Sequence, residues 1–110
     1  MPVYMYQAAY SGESIKSLVQ NPQDRTAVIK AVIEGNGGTL IGCWMCFGEY
    51  DIVVIADMPD DESMAGVALA VGAAGTAARG KSIQLLTMEQ SVEAMKKAQN
   101  IAKSYKPPST

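Results

Sequence analysis

Two groups of residues in the middle of the chain have types and spacings that could do chemistry: Gly48, Tyr50 and Asp51, and the pair Cys43 and Cys46. A tyrosine beside a carboxylate can work on a bound molecule, the phenol donating a hydrogen bond while Asp51 takes up a proton. Gly48 would admit a backbone conformation denied to residues with a Cβ. The same three residues can instead shape a turn. Asp51 would then cap backbone N–H groups or pair with Arg25 or Arg79, and Tyr50 would bury its ring while satisfying its hydroxyl. Cys43-Trp44-Met45-Cys46 is formally a C-x-x-C. A redox-active pair of that kind sits at a helix N-terminus, whose dipole lowers the thiol pKa. Residues 39–47 are apolar, β-branched and aromatic, and read as a strand. Residues three apart on a strand point to opposite faces, so the sulfurs diverge. The expectation is two buried, inert thiols. Two thiolates with no histidine to join them do not complete a zinc site, so no metal and no cofactor is expected.

Composition narrows the chemistry further. The chain has 110 residues, 48% hydrophobic and 18% charged, and no histidine. That excludes Ser–His–Asp hydrolysis and His-ligated metals. Nine Lys and Arg against eleven Asp and Glu give a net charge of −2, so no nucleic acid partner is expected, because phosphate neutralisation needs a basic excess. The longest weakly polar run, 64–78, is broken by Gly66, Gly72 and Gly75, which argues against a membrane span. The opening Met-Pro-Val-Tyr is not a secretory leader, and the expected location is the cytoplasm. Gly72-Ala73-Ala74-Gly75 is not a phosphate loop, since no Gly-Lys-Ser follows it. One domain over 1–106 with a loose tail at 107–110 accounts for the length.

These residues need elements to hold them. The alternation of residues 3–10 predicts a strand with Tyr4, Tyr6, Ala8 and Tyr10 on one face. A short helical stretch over 12–20 follows, and Asn21-Pro22 reads as the start of a longer helix. Its stripe is Val28, Ile29, Val32 and Ile33, and Gly35 closes it. Strands at 39–47 and 52–57 form a hairpin around 48–51. Asp60 or Asp61 caps a helix whose buried face holds Met64, Val67, Ala68 and Val71. A fourth strand spans 76–86, and the capping box Thr87-x-x-Gln90 opens a last helix with Met88, Val92, Met95, Ala98, Ala102 and Tyr105 in a stripe. The order β-α-β-β-α-β plus a C-terminal helix is the ferredoxin-like α+β arrangement, a four-stranded antiparallel sheet with its crossover helices on one face.

Both faces of the central hairpin read as apolar: Ile41, Cys43, Met45 and Phe47 alternate with Leu40, Gly42, Trp44 and Cys46. A sheet face left bare of helices should be polar if it meets water. The economical solution is a homodimer, or a larger even oligomer, in which two sheets close on each other. The competing solution is a monomer whose last helix covers that face. Tyr4, Tyr6 and Trp44 would line a cavity or the interface, and Trp44 suits an interface anchor better than a catalytic role.

Gly48-Glu49-Tyr50-Asp51 followed by Ile52-Val53-Val54-Ile55 resembles the signature of the GYD domain family. Pro2-Val3-Tyr4, Asn21-Pro22-Gln23-Asp24-Arg25, Gly37-Gly38 and Pro59-Asp60-Asp61-Glu62 extend the resemblance in order over most of the chain. The chain departs from the family pattern at Ser11-Gly12-Glu13-Ser14 and over 76–83. The resemblance implies a dimeric α+β barrel, an architecture rather than a reaction. Two functions compete on this reading. One is a small homo-oligomeric module that binds an apolar small molecule or a partner protein. The alternative is a cofactor-independent barrel enzyme of the oxygenase, isomerase or decarboxylase type, with Tyr50 and Asp51 at its cavity.

Overall fold

The computed structural model describes residues 1–108. Its elements are β1 (Val3–Tyr10), α1 (Gly12–Gln20), α2 (Thr26–Gly35), β2 (Thr39–Met45), β3 (Ile52–Asp57), α3 (Asp61–Ala73), β4 (Ala77–Leu85) and α4 (Met88–Ala102). The four strands form one antiparallel sheet in the order β2-β3-β1-β4. This is the ferredoxin-like α+β fold expected from the element order. Of the expected tail at 107–110, residues 109–110 lie outside the described part.

Local chemistry sets the boundaries. Ser11 caps α1, its hydroxyl accepting from the Ser14 N–H, and Asp60 caps α3 through the Ser63 N–H at 2.8 Å. The capping box of α4 is complete: Thr87 Oγ1 accepts from Gln90 N, and Gln90 Oε1 accepts from Thr87 N. The long helix starts at Thr26 rather than at Asn21-Pro22. Asn21 is consumed as the C-cap of α1, donating its N–H to the Ser17 carbonyl. Asp24 then accepts from both the N–H and the hydroxyl of Thr26, and the chain turns into α2 there.

β2 differs from its expected form in two ways. It ends at Met45, and Phe47 beyond it is 98% exposed. A bulge lies between Leu40 and Gly42. Leu40 pairs with Ala56, but after the bulge Cys43 pairs with Val54 and Met45 with Ile52. The extra residue, Ile41, reverses the alternation. Leu40, Cys43 and Met45 therefore share one face, while Gly42 and Trp44 belong to the other.

The buried cluster comprises Tyr4, Tyr6 and Ala8 of β1, Val54 and Ala56 of β3, Ile33 of α2, Met64 and Val67 of α3, and Met58. It fills the space between the sheet and α2 and α3. The opposite face carries Met5, Val53, Ile55, Trp44, Ile83 and Leu85 by register, and among the described residues no helix lies over it.

Helix α4 does not take up that role. None of its residues is buried, and Met88, Val92 and Met95 are exposed. The helix projects from the body, so the molecule measures 59 × 33 × 21 Å with a radius of gyration of 17.8 Å. A compact chain of this length would have about 13 Å.

Candidate functional site

Strand alternation turns Tyr4, Tyr6, Ala8 and Tyr10 toward the helices, where they form the floor of a cleft with Val54 and Ala56. α2 and α3 stand apart above that floor. Val28, Ile29, Val32 and Ile33 make one wall, and Met64, Val67, Ala70 and Val71 the other. The doubled apolar row on α2 explains the width of the opening. Ile33 packs into the core, whereas Val28 and Val32 remain 45% and 37% exposed along the rim. The cleft encloses about 280 Å³.

Its polar groups are few and unevenly placed. The Tyr4 hydroxyl donates to Asp61 Oδ1. That bond, with burial and the negative charges of Asp61, Asp60 and Glu62, pushes the Tyr4 pKa up to about 12. Tyr6 leans over β4 so closely that a Cβ on Gly80 would lie 2.8 Å from its hydroxyl. Burial raises the Tyr6 pKa. Burial also raises that of Tyr10, against the opposing pull of the Arg25 charge. Arg25, at the start of α2, is the only charged residue among those lining the cleft.

The structure separates the residues expected to share a site. Tyr4 and Tyr6 line the cleft; Gly48, Tyr50, Asp51 and Trp44 do not. Asp51 Oδ2 accepts from the Tyr10 N–H at 2.9 Å, the Asp51 N–H donates to the Ala8 carbonyl, and the Asp51 carbonyl accepts from Cys46. Arg79 of β4 donates to the Glu49 carbonyl and stands 5.5 Å from the Tyr50 ring centroid, a cation–π contact. Gly48 has φ +158°, a backbone angle that residues with a Cβ rarely adopt, as its type led us to expect, and no atom lies within 4 Å of where a Cβ would stand. Together these residues clasp the hairpin end to β1 and β4.

The two thiols go separate ways and are half-buried rather than buried. Cys43 Sγ lies 3.6 Å from Thr26 Oγ1, and Cys46 Sγ lies 3.2 Å from the Tyr50 carbonyl. Among the described residues no three His, Cys, Asp or Glu side chains gather as a metal site, and no helix is long and apolar enough to cross a membrane. Trp44 is 57% exposed, opposite Val53 on the face without helices.

Sequence reasoning named Arg25 as a partner for Asp51 and Val28 and Val32 as part of the α2 stripe, but assigned none of them to a cleft. The available signal was the stripe of α2, which pairs neighbours at i, i+1, i+4 and i+5 and so is wider than one buried row requires.

Comparison with known protein families matches the GYD domain model over residues 4–95, which takes in the sheet, α1 to α3 and half of α4. No curated protein matches.

Proposed function

This chain belongs to the GYD domain family, and from that premise we propose that it is a homodimeric cytoplasmic binding module that holds an apolar small molecule between α2, α3 and the sheet. The observation that carries this reading is the cleft itself. It is walled by valine, isoleucine, alanine and methionine, floored by tyrosines, and close to the lower end of the range usual for small-molecule sites. The Tyr50–Asp51 pair lies outside it, and the Tyr4 hydroxyl that lines it is already committed to Asp61, which is not among the lining residues. That combination favours holding a molecule over transforming it.

The sheet face without helices supports the dimer. Ile55, Met5 and Ile83 lie side by side across β3, β1 and β4, with Val53 next along β3 beside Gln7, and a second copy would remove the apolar row from water. The unpaired thiols suit a reducing compartment.

The test is titration with N-phenyl-1-naphthylamine, a neutral apolar fluorophore, followed by its emission. Saturable binding is expected. It should be lost in Ala70→Phe, which fills the cleft from an exposed wall position without touching the buried cluster. Absence of saturable binding, or full binding by Ala70→Phe, would overturn the reading.

A further inference from the structure

We infer that the cleft selects ligands with an anionic head, a medium-length apolar carboxylate whose acid group pairs with Arg25 while its tail lies along Tyr6 toward Tyr4. This rests on the proposed reading of the cleft as a binding site.

The argument begins with how charge is distributed along the floor. Tyr4 and Tyr10 are six residues apart on one extended strand, about 20 Å. At the Tyr4 end the α3 N-terminus brings Asp60, Asp61 and Glu62, whose charges weigh on the Tyr4 phenol. At the Tyr10 end Arg25 is the charged residue that lines the cleft, while Asp51, whose charge also acts on Tyr10, lies outside the lining and accepts from the Tyr10 N–H. The walls between are aliphatic. An apolar ligand with one charged end therefore has a single favourable orientation, with its anion at Tyr10 and its tail away from the acids.

Arg25 is available for that role. Its guanidinium donates to Gln23 Oε1 at 3.1 Å, and among the described residues no carboxylate lies within 4 Å of it. Of the acids near this end, Asp24 is committed to the N–H and hydroxyl of Thr26 and Asp51 to the Tyr10 N–H, while Glu13, which lines a neighbouring groove with Arg25, forms no ion pair with it. A guanidinium with five donors in a planar fork matches a carboxylate in a bidentate geometry. The apolar surroundings strengthen the attraction relative to open water. As the N-terminal cap residue of α2, Arg25 makes no side-chain bond to the helix. Its loss should therefore leave the fold standing.

Three probes with one tail and different heads, octanoate, 1-octanol and octylammonium, separate this proposal from the reading beneath it. Each is titrated calorimetrically at low salt into the wild type, Arg25→Met and Arg25→Lys. Octanoate should bind the wild type about tenfold more tightly than 1-octanol, a margin typical of one charge-assisted pair, and octylammonium most weakly. Arg25→Met should bring octanoate down to the level of 1-octanol and leave 1-octanol unchanged. Arg25→Lys should keep part of the preference, since the charge stays while the fork is lost. Equal binding of octanoate and 1-octanol to the wild type, or a preference that survives Arg25→Met, overturns the anion assignment and leaves the cleft as an apolar site. Failure of all three probes to saturate overturns both.

Discussion

The carboxylate of Asp51 accepts a hydrogen bond from the backbone N–H of Tyr10 at 2.9 Å, across 41 residues of chain. Tyr10 is the last residue of β1 and Asp51 immediately precedes β3, so this bond finishes the pairing of the two central strands where the regular ladder stops at Ala8 and Ile52. It also fixes the end of the tyrosine row that faces the cleft. The residue that most resembles a catalytic base is thus a strand clasp, and it bears on the cleft only through the position of Tyr10.

Asp51→Ala should lower stability by about 1–3 kcal/mol, the usual cost of leaving a half-buried backbone donor without its acceptor. Asp51→Asn should cost less, because an amide oxygen can still accept from Tyr10 while the charge is lost. Urea denaturation of both variants checks the order. A wild-type midpoint for Asp51→Ala would remove Asp51 from the architecture.

Two glycines should respond to alanine in opposite directions. A Cβ on Gly38 would be driven against the Asp57 carbonyl and would lie 2.6 Å from the Met58 sulfur. The carbonyl is backbone and cannot swing away, so Gly38→Ala should destabilise by roughly 1–3 kcal/mol. Gly66 lies inside α3 with nothing within 4 Å of its Cβ position. Gly66→Ala should stabilise by about 1 kcal/mol through helix propensity alone. Thermal melts of the pair test the assignment, which fails if both variants move the same way.

Tyr4 should ionise late. Its pKa is raised from 10.0 to about 12 in the folded chain by the bond to Asp61. The folded state therefore favours the protonated phenol, and the stability this brings is complete below pH 10. As pH rises from 10 to about 12 the unfolded chain ionises first and that stability is lost. Tyrosinate absorbance during alkaline titration should show a final step that Tyr4→Phe abolishes. Asp61→Asn should shift the same step downward, since the charge that opposes ionisation is gone.

Ile55→Glu should convert a dimer into monomers. Ile55 lies on the face without helices, paired with Met5 on one side and Gly42 on the other. A carboxylate there is accommodated by water in a monomer but would be desolvated and unpaired between two sheets. Light scattering should fall to the mass of one 11.7 kDa chain, with unchanged far-ultraviolet circular dichroism. A wild-type protein that is already monomeric would contradict the proposed dimer directly.

Much of this molecule is written locally and was legible for that reason. The alternation of 3–10, the caps at Asp60 and Thr87, and the Ile52–Asp57 strand all follow from steric and hydrogen-bonding rules acting over a few residues. The resemblance carried by Gly48, Tyr50 and Asp51 likewise needed no coordinates. What tertiary structure decided concerns relations between distant residues. The parity of β2 depends on a one-residue bulge at Ile41, which no spacing within 39–47 reveals, because it exists only relative to Val54 and Ala56. The start of α2 moved to Thr26 because Asn21 had already been used to close α1. The role of Asp51 was set by Tyr10 rather than by its neighbour Tyr50. Arg25 became the lone charge of an apolar cleft only once α2 was laid over β1, since a charge acquires meaning from what surrounds it in space.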